Sequence, residues 1–190
     1  TPITLAEFSQ STQTDSFPIY LKQYIKNDVL EVMANGSLDY TVKGICMGMK
    51  VTWNYMPPVH GGDTFTSIKK GSKATLKIVQ NEKNGFVKEL YIQKKPNIDS
   101  HTFETQLQKT IEQLQESYPF LSVKNKSNGI YLIDIPQEYR LGHEEHFSKV
   151  AKAFLHYIRN KNIPEWENEN TLTKYYITTT AVEMAKKENK

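Results

Sequence analysis

The sequence predicts an α+β fold: a mostly antiparallel sheet with helices packed on one face. Three observations predict it. A long run alternates apolar and small or polar residues at period two, four pairs of turn residues join short strands, and the later segments space their apolar residues three or four apart.

The elements follow in chain order. Thr4 stands three residues before Glu7, the spacing of a capping box that opens a short helix. A second short helix is expected after Pro18. The stretch Leu30 to Ala34 leads into Asn35-Gly36, a pair suited to a hairpin turn because both central positions of a type I′ turn take positive φ. Beyond it Ile45, Met47, Met49, Val51, Trp53 and Tyr55 share one face. Gly44, Cys46, Gly48, Lys50, Thr52 and Asn54 share the other. Further strands are expected at 64–69 and 74–79 across Gly71-Ser72, and at 86–93 after Asn84-Gly85. Connections this short make the pairs antiparallel.

Asp99 or Ser100 can cap a helix reaching about Ser117, with Phe103, Leu107, Ile111 and Leu114 as its buried stripe. Pro119 ends it. Strands at 121–124 and 130–135 flank Asn128-Gly129. A helix at 143–159 follows, and after Pro164 a last one covers roughly 171–187. There is no internal repeat and no low-complexity linker, and a single substantial domain over 1–190 is expected.

Composition narrows the function classes. The 24 basic and 21 acidic residues leave a net +3 spread along the chain, with only isolated pairs such as Lys69-Lys70, so a nucleic-acid surface is not expected. The single Cys46 cannot close an intramolecular disulfide. No apolar run reaches the length of a membrane span. The chain opens at Thr1 without Met, which suggests processing or a longer parent, and the compartment, cytoplasmic or periplasmic, depends on that parent.

Two places could carry chemistry. In Gly142-His143-Glu144-Glu145-His146-Phe147 the two imidazoles fall on the helix stripe of Phe147, Val150, Phe154 and Tyr157, so they should border a cleft or a core edge. A shared metal ion is one reading, although the zinc-protease motif spaces its histidines four apart, not three. A substrate-contacting or proton-transferring histidine is a second, and capping and core histidines a third. The other place is Pro57-Pro58-Val59-His60-Gly61-Gly62-Asp63-Thr64, whose glycines allow close backbone approach and could present Asp63 and Thr64 to a polar ligand. It reads equally as a strand connection. Ser67, Ser72 and Cys46 have no evident base partner.

The chain resembles the C-terminal domain of bacterial oxidoreductases of the glucose-fructose oxidoreductase and inositol dehydrogenase type (Gfo/Idh/MocA). The resemblance covers nearly all of it. It rests on Thr1-Pro2-Ile3-Thr4-Leu5, Phe17-Pro18-x-Tyr20-Leu21, Trp53-Asn54-Tyr55 with Gly62-Asp63-Thr64, Gly71-Ser72-Lys73-Ala74, Tyr139-Arg140-x-Gly142-His143-Glu144-x-His146-Phe147, and Lys174-Tyr175-Tyr176-x-Thr178-Thr179. It implies a parent with its own N-terminal Rossmann domain that binds NAD or NADP, and a second domain that closes the substrate site and forms the oligomer interface. The implied substrate is a sugar, polyol or related hydroxyl compound.

The same resemblance implies that this chain binds no cofactor or metal and is inactive alone, since it has no Gly-x-Gly-x-x-Gly after a strand. The family's catalytic Lys lies in a Glu-Lys-Pro motif of the first domain; Lys95-Pro96 follows Lys94 and is not that motif. The family's Asp-x-x-x-His helix would precede Thr1. His143, Asp63, Thr64 and His146 are then expected to contact substrate, whereas Phe65 stands where the resemblance leads one to expect His. Two other classes stay open: a stand-alone binding module using the Gly44, Cys46 and Gly48 face, and a small metal-dependent hydrolase using His143 and His146.

Overall fold

The structure, a computed structural model, describes residues 1–53 and 61–188. The expected strand residues Asn54 and Tyr55 and the loop residues Pro57 to His60 lie outside the described residues. The chain divides into two compact units, Thr1–Met56 with Ala153–Lys190, and Pro57–Lys152.

The first unit begins with β1 (Pro2–Thr4), α1 (Leu5–Thr12), β2 (Ile25–Lys26) and β3 (Val29–Glu31). The three strands form an antiparallel sheet in the order β1-β3-β2. Thr4 and Glu7 make the expected capping box, each side chain bonding the other's backbone N–H. Ile3 and Leu30 are buried. The helix expected after Pro18 is a 3-10 helix, Ile19–Tyr24.

Next come β4 (Gly36–Val42) and β5 (Ile45–Val51), a two-stranded antiparallel ribbon. Here the structure corrects the expected turn. Asn35-Gly36 is not the hairpin; the reversal occurs at Lys43-Gly44, where φ is +50° and +77°. Those consecutive positive φ values are what a two-residue hairpin requires. Asn35 instead uses its side-chain oxygen to accept from the Trp53 N–H. The alternation itself holds: Met47 pairs with Tyr40 and Met49 with Leu38 on the apolar side, while Cys46 pairs with Thr41 and Gly48 with Asp39 on the other.

The second unit is built on a five-stranded antiparallel sheet in the order β6-β7-β8-β10-β9. Its strands are β6 (Phe65–Lys70), β7 (Ala74–Gln80), β8 (Glu89–Lys94), β9 (Ser122–Asn125) and β10 (Ile130–Asp134). Helix α2 (Ser100–Gln115) covers one face, its N-terminus capped by Asp99, which accepts from the Thr102 N–H at 2.8 Å. Leu107 and Ile111 of α2, Leu121, and Tyr131 and Ile133 of β10 form the buried cluster. Leu90, Ile92, Phe103 and Val123 pack against it. Leu114, expected in the buried stripe, is instead 41% exposed.

A second turn is also corrected. Asn84-Gly85 does not join β7 directly to a strand starting at 86, and β8 begins at Glu89. A 3-10 helix, Glu82–Asn84, intervenes, and the Asn84 side chain is consumed in holding it. Its oxygen accepts from the Asn81 N–H at 2.8 Å, and its amide donates to the Val79 carbonyl at 3.0 Å.

Helix α3 (His143–Asn160) covers the expected residues, but its apolar stripe is not covered. Phe147, Val150 and Phe154 are exposed and only Tyr157 is half-buried, so the histidines above them do not stand at a core edge. Helix α4 (Glu165–Glu188) starts about two turns before its expected onset at Thr171. Pro164 does not delay it, because proline suits the entry to a helix, and Glu165 and Glu167 in the first turn favour the positive end of the dipole. No helix of the described residues is long and apolar enough to cross a membrane.

Candidate functional site

The four predicted site residues all lie in the second unit. Asp63 and Thr64 immediately precede β6, and His143 and His146 occupy the first turn of α3. All four residues are exposed, the His143 side chain at 91%. Among the described residues neither Asp63 nor Thr64 makes a side-chain hydrogen bond, so their polar atoms are not consumed by the fold. His143 Nδ1 lies 3.9 Å from the Glu144 carboxylate. The Glu145 carboxylate accepts from the Gly142 N–H at 3.4 Å, and the His146 N–H bonds the Gly142 carbonyl at 3.0 Å, closing the first turn.

Among the described residues no hydrogen bond or ion pair joins the two pairs. What relates them is the connection from β7 to β8, residues 81–88. Phe86 has φ +58°, a conformation that side chains other than glycine rarely adopt. Its ring stands 3.1–3.5 Å from where a Cβ on Gly62 would lie, so a larger residue at 62 would push against the ring. Two residues on, Lys88 Nζ lies 5.5 Å from the centre of the Phe65 ring, a cation–π distance. Phe65, which fills the position of the expected histidine, thus has an aromatic role in the corner.

The other side of the corner is held by Arg140. Its Nη1 donates to the Lys88 carbonyl at 2.9 Å and its Nε to the Ile135 carbonyl at 3.1 Å. Residues 62–65 and the start of α3 are therefore both anchored to one short connection. Sequence reasoning missed Arg140 and Phe86. Arg140 sat in a recognised string, but nothing local signals a bond across 52 positions.

The shared-metal reading gains no support from side-chain placement. Among the described residues no group of three or more His, Cys, Asp or Glu could hold a metal ion. Among the described residues every strand pairing is antiparallel. No step through a nicotinamide is derived for this chain.

Two other hollows belong to the first unit. One, of about 290 Å³, lies beside α1 between Ile3, Phe8, Leu30 and Trp53, and the other opens over Asp39, Thr41, Cys46 and Gly48 of the ribbon. None of the four predicted residues lines either.

The fold defines an α+β protein whose strands pair antiparallel. The chain belongs to the family described as "Putative oxidoreductase C terminal domain", whose family model matches residues 1–186. It is similar to the crystal structure of "a putative oxidoreductase from Parabacteroides merdae", with 39% identity and a TM-score of 0.92. That similarity covers 98% of this chain and 43% of the other, so the chain spans less than half the length of this relative. No curated protein matches the chain.

Proposed function

We propose that this chain is the substrate-side and oligomerisation domain of an NAD(P)-dependent oxidoreductase of the Gfo/Idh/MocA type, acting on a sugar, polyol or related hydroxyl compound. The observation that carries the proposal is the 39% identity to the "putative oxidoreductase" of Parabacteroides merdae, a chain more than twice as long. In this reading the nucleotide and the catalytic Lys belong to a Rossmann domain elsewhere in the parent. The present chain supplies a cleft wall.

His143, His146, Asp63 and Thr64 suit that role because they are accessible and carry donors and acceptors that a polyhydroxylated ligand can use. The sheet face opposite α2 suits association. It alternates Thr66, Ile68, Thr75, Val79, Tyr91, Ile130 and Leu132 with charged groups, among them the Lys124–Asp134 ion pair at 2.7 Å.

The test uses the full parent protein with NAD(P)H-coupled turnover over a panel of sugars and polyols. His143→Ala and Asp63→Asn are expected to raise KM or lower kcat for the accepted substrate, with cofactor affinity unchanged. Equal kinetics in both variants would remove these residues from the cleft. Micromolar NAD(H) binding by residues 1–190 alone, read by calorimetry, would overturn the division of labour.

A further inference from the structure

We propose that Arg140 is a positioning residue for this site, clamping the connection before β8 to the segment that enters α3 and so fixing how far Asp63 and Thr64 stand from His143. The inference rests on the cleft-wall reading above.

A guanidinium is planar, and its N–H groups point in fixed directions. Donating Nε to the Ile135 carbonyl and Nη1 to the Lys88 carbonyl therefore constrains both the distance and the orientation of two backbone segments. Each segment leads directly to one half of the site. On one side Lys88 lies over Phe65, and Phe86 backs Gly62, so both neighbours of Asp63-Thr64 press on the clamped connection. On the other side only Leu141 and Gly142 separate Arg140 from His143.

The acceptors are backbone carbonyls, so Arg140 needs no particular side chain at position 88 or 135 and makes no demand on the ligand. Phe86 is held at a positive φ on the same connection. That is local strain of the kind the surrounding structure must over-determine.

The experiment measures the distance between spin labels at Lys69→Cys and Glu144→Cys by pulsed dipolar spectroscopy. It uses the full parent protein on a Cys46→Ser background, with any cysteine outside this chain replaced. Both labelled positions are exposed and neither is a proposed ligand contact. Arg140→Gln is expected to broaden the distance distribution and move it to longer separation. Arg140→Lys, which can still reach one carbonyl, is expected to recover part of the narrow distribution.

A purely stabilising role predicts instead a lower Tm with an unchanged distribution, and that result would overturn the proposal. Should Arg140→Gln not fold, the comparison of Arg140→Lys with the parent decides, an unchanged distribution again counting against the clamp. Failure of the cleft reading is a separate result: unchanged turnover in His143→Ala and Asp63→Asn while the Arg140 variants still broaden the distribution.

Discussion

The five-stranded sheet and the β4–β5 ribbon obey the same alternating pattern and end in opposite states. In the sheet, Tyr131 is 3% and Ile133 5% exposed, because α2 lies over the face that carries Tyr131, Ile133, Leu90 and Ile92. In the ribbon, Ile45 is 62% exposed, and Met47, Met49 and Val51 also stay open. Alternation decides which residues share a face. Whether that face is dry depends on a third element arriving to cover it, and a two-stranded ribbon alone has too little surface to exclude water.

The sharpest way to break this comparison is to truncate one residue on each side of it. Ile111→Ala, in the covered cluster, is expected to cost about 2–5 kcal/mol in chemical denaturation, from lost transfer energy and the cavity left behind. A loss below about 1 kcal/mol there would mean that the α2 interface is loose.

The polar link across the same interface should matter less. The Tyr131 hydroxyl donates to the Glu104 carboxylate of α2 at 2.8 Å, and Tyr131→Phe is expected to cost about 1 kcal/mol. Burial, reinforced by that hydrogen bond, pushes the Tyr131 phenol up to about 12. The folded state thus keeps its proton after the unfolded chain, with an ordinary phenol near ~10, has released it. The associated stability is complete below that ordinary value and is lost as pH rises through about 12. Absorbance titration of the phenolate in Glu104→Gln should show Tyr131 ionising earlier than in the parent.

Smaller again is the helix cap. The backbone hydrogen bond from Thr102 holds the Asp99 carboxyl below the usual carboxylate range. Its contribution is present above that range and lost as pH falls through the lowered value. Asp99→Ala should lower Tm at neutral pH and make less difference in strong acid, as a thermal melt at each pH would show.

The least effect is expected from Met49→Ala on the open ribbon, within roughly 0.5 kcal/mol by denaturation, as is usual for exposed positions. A loss as large as that of Ile111→Ala would show that the ribbon's apolar face is covered in solution.

Local chemistry made much of the architecture legible. The Thr4–Glu7 spacing specifies a cap, and Phe103, Leu107 and Ile111 mark a helix face, because these interactions close within one or two turns. Asn-Gly pairs were less faithful guides. Asn84 found better use for its side chain inside a 3-10 turn, and Lys43-Gly44 reversed the chain although Asn35-Gly36 carried the stronger signal. A turn is chosen by the pairing of the strands beyond it as well as by the residues within it.

The candidate site divides along the same line. The residue types of His143, His146, Asp63 and Thr64, and the helix that carries the two histidines, could be read from the sequence because they depend on neighbours a few positions away. Tertiary structure alone decided that one corner ties them. The Phe86 ring against Gly62, the Lys88 ammonium over Phe65 and the Arg140 bond to the Lys88 carbonyl join segments distant in sequence. It also decided that one alternating sheet would be buried and the other left open. Both outcomes depend on which distant segment arrives to pack, and no local periodicity encodes that.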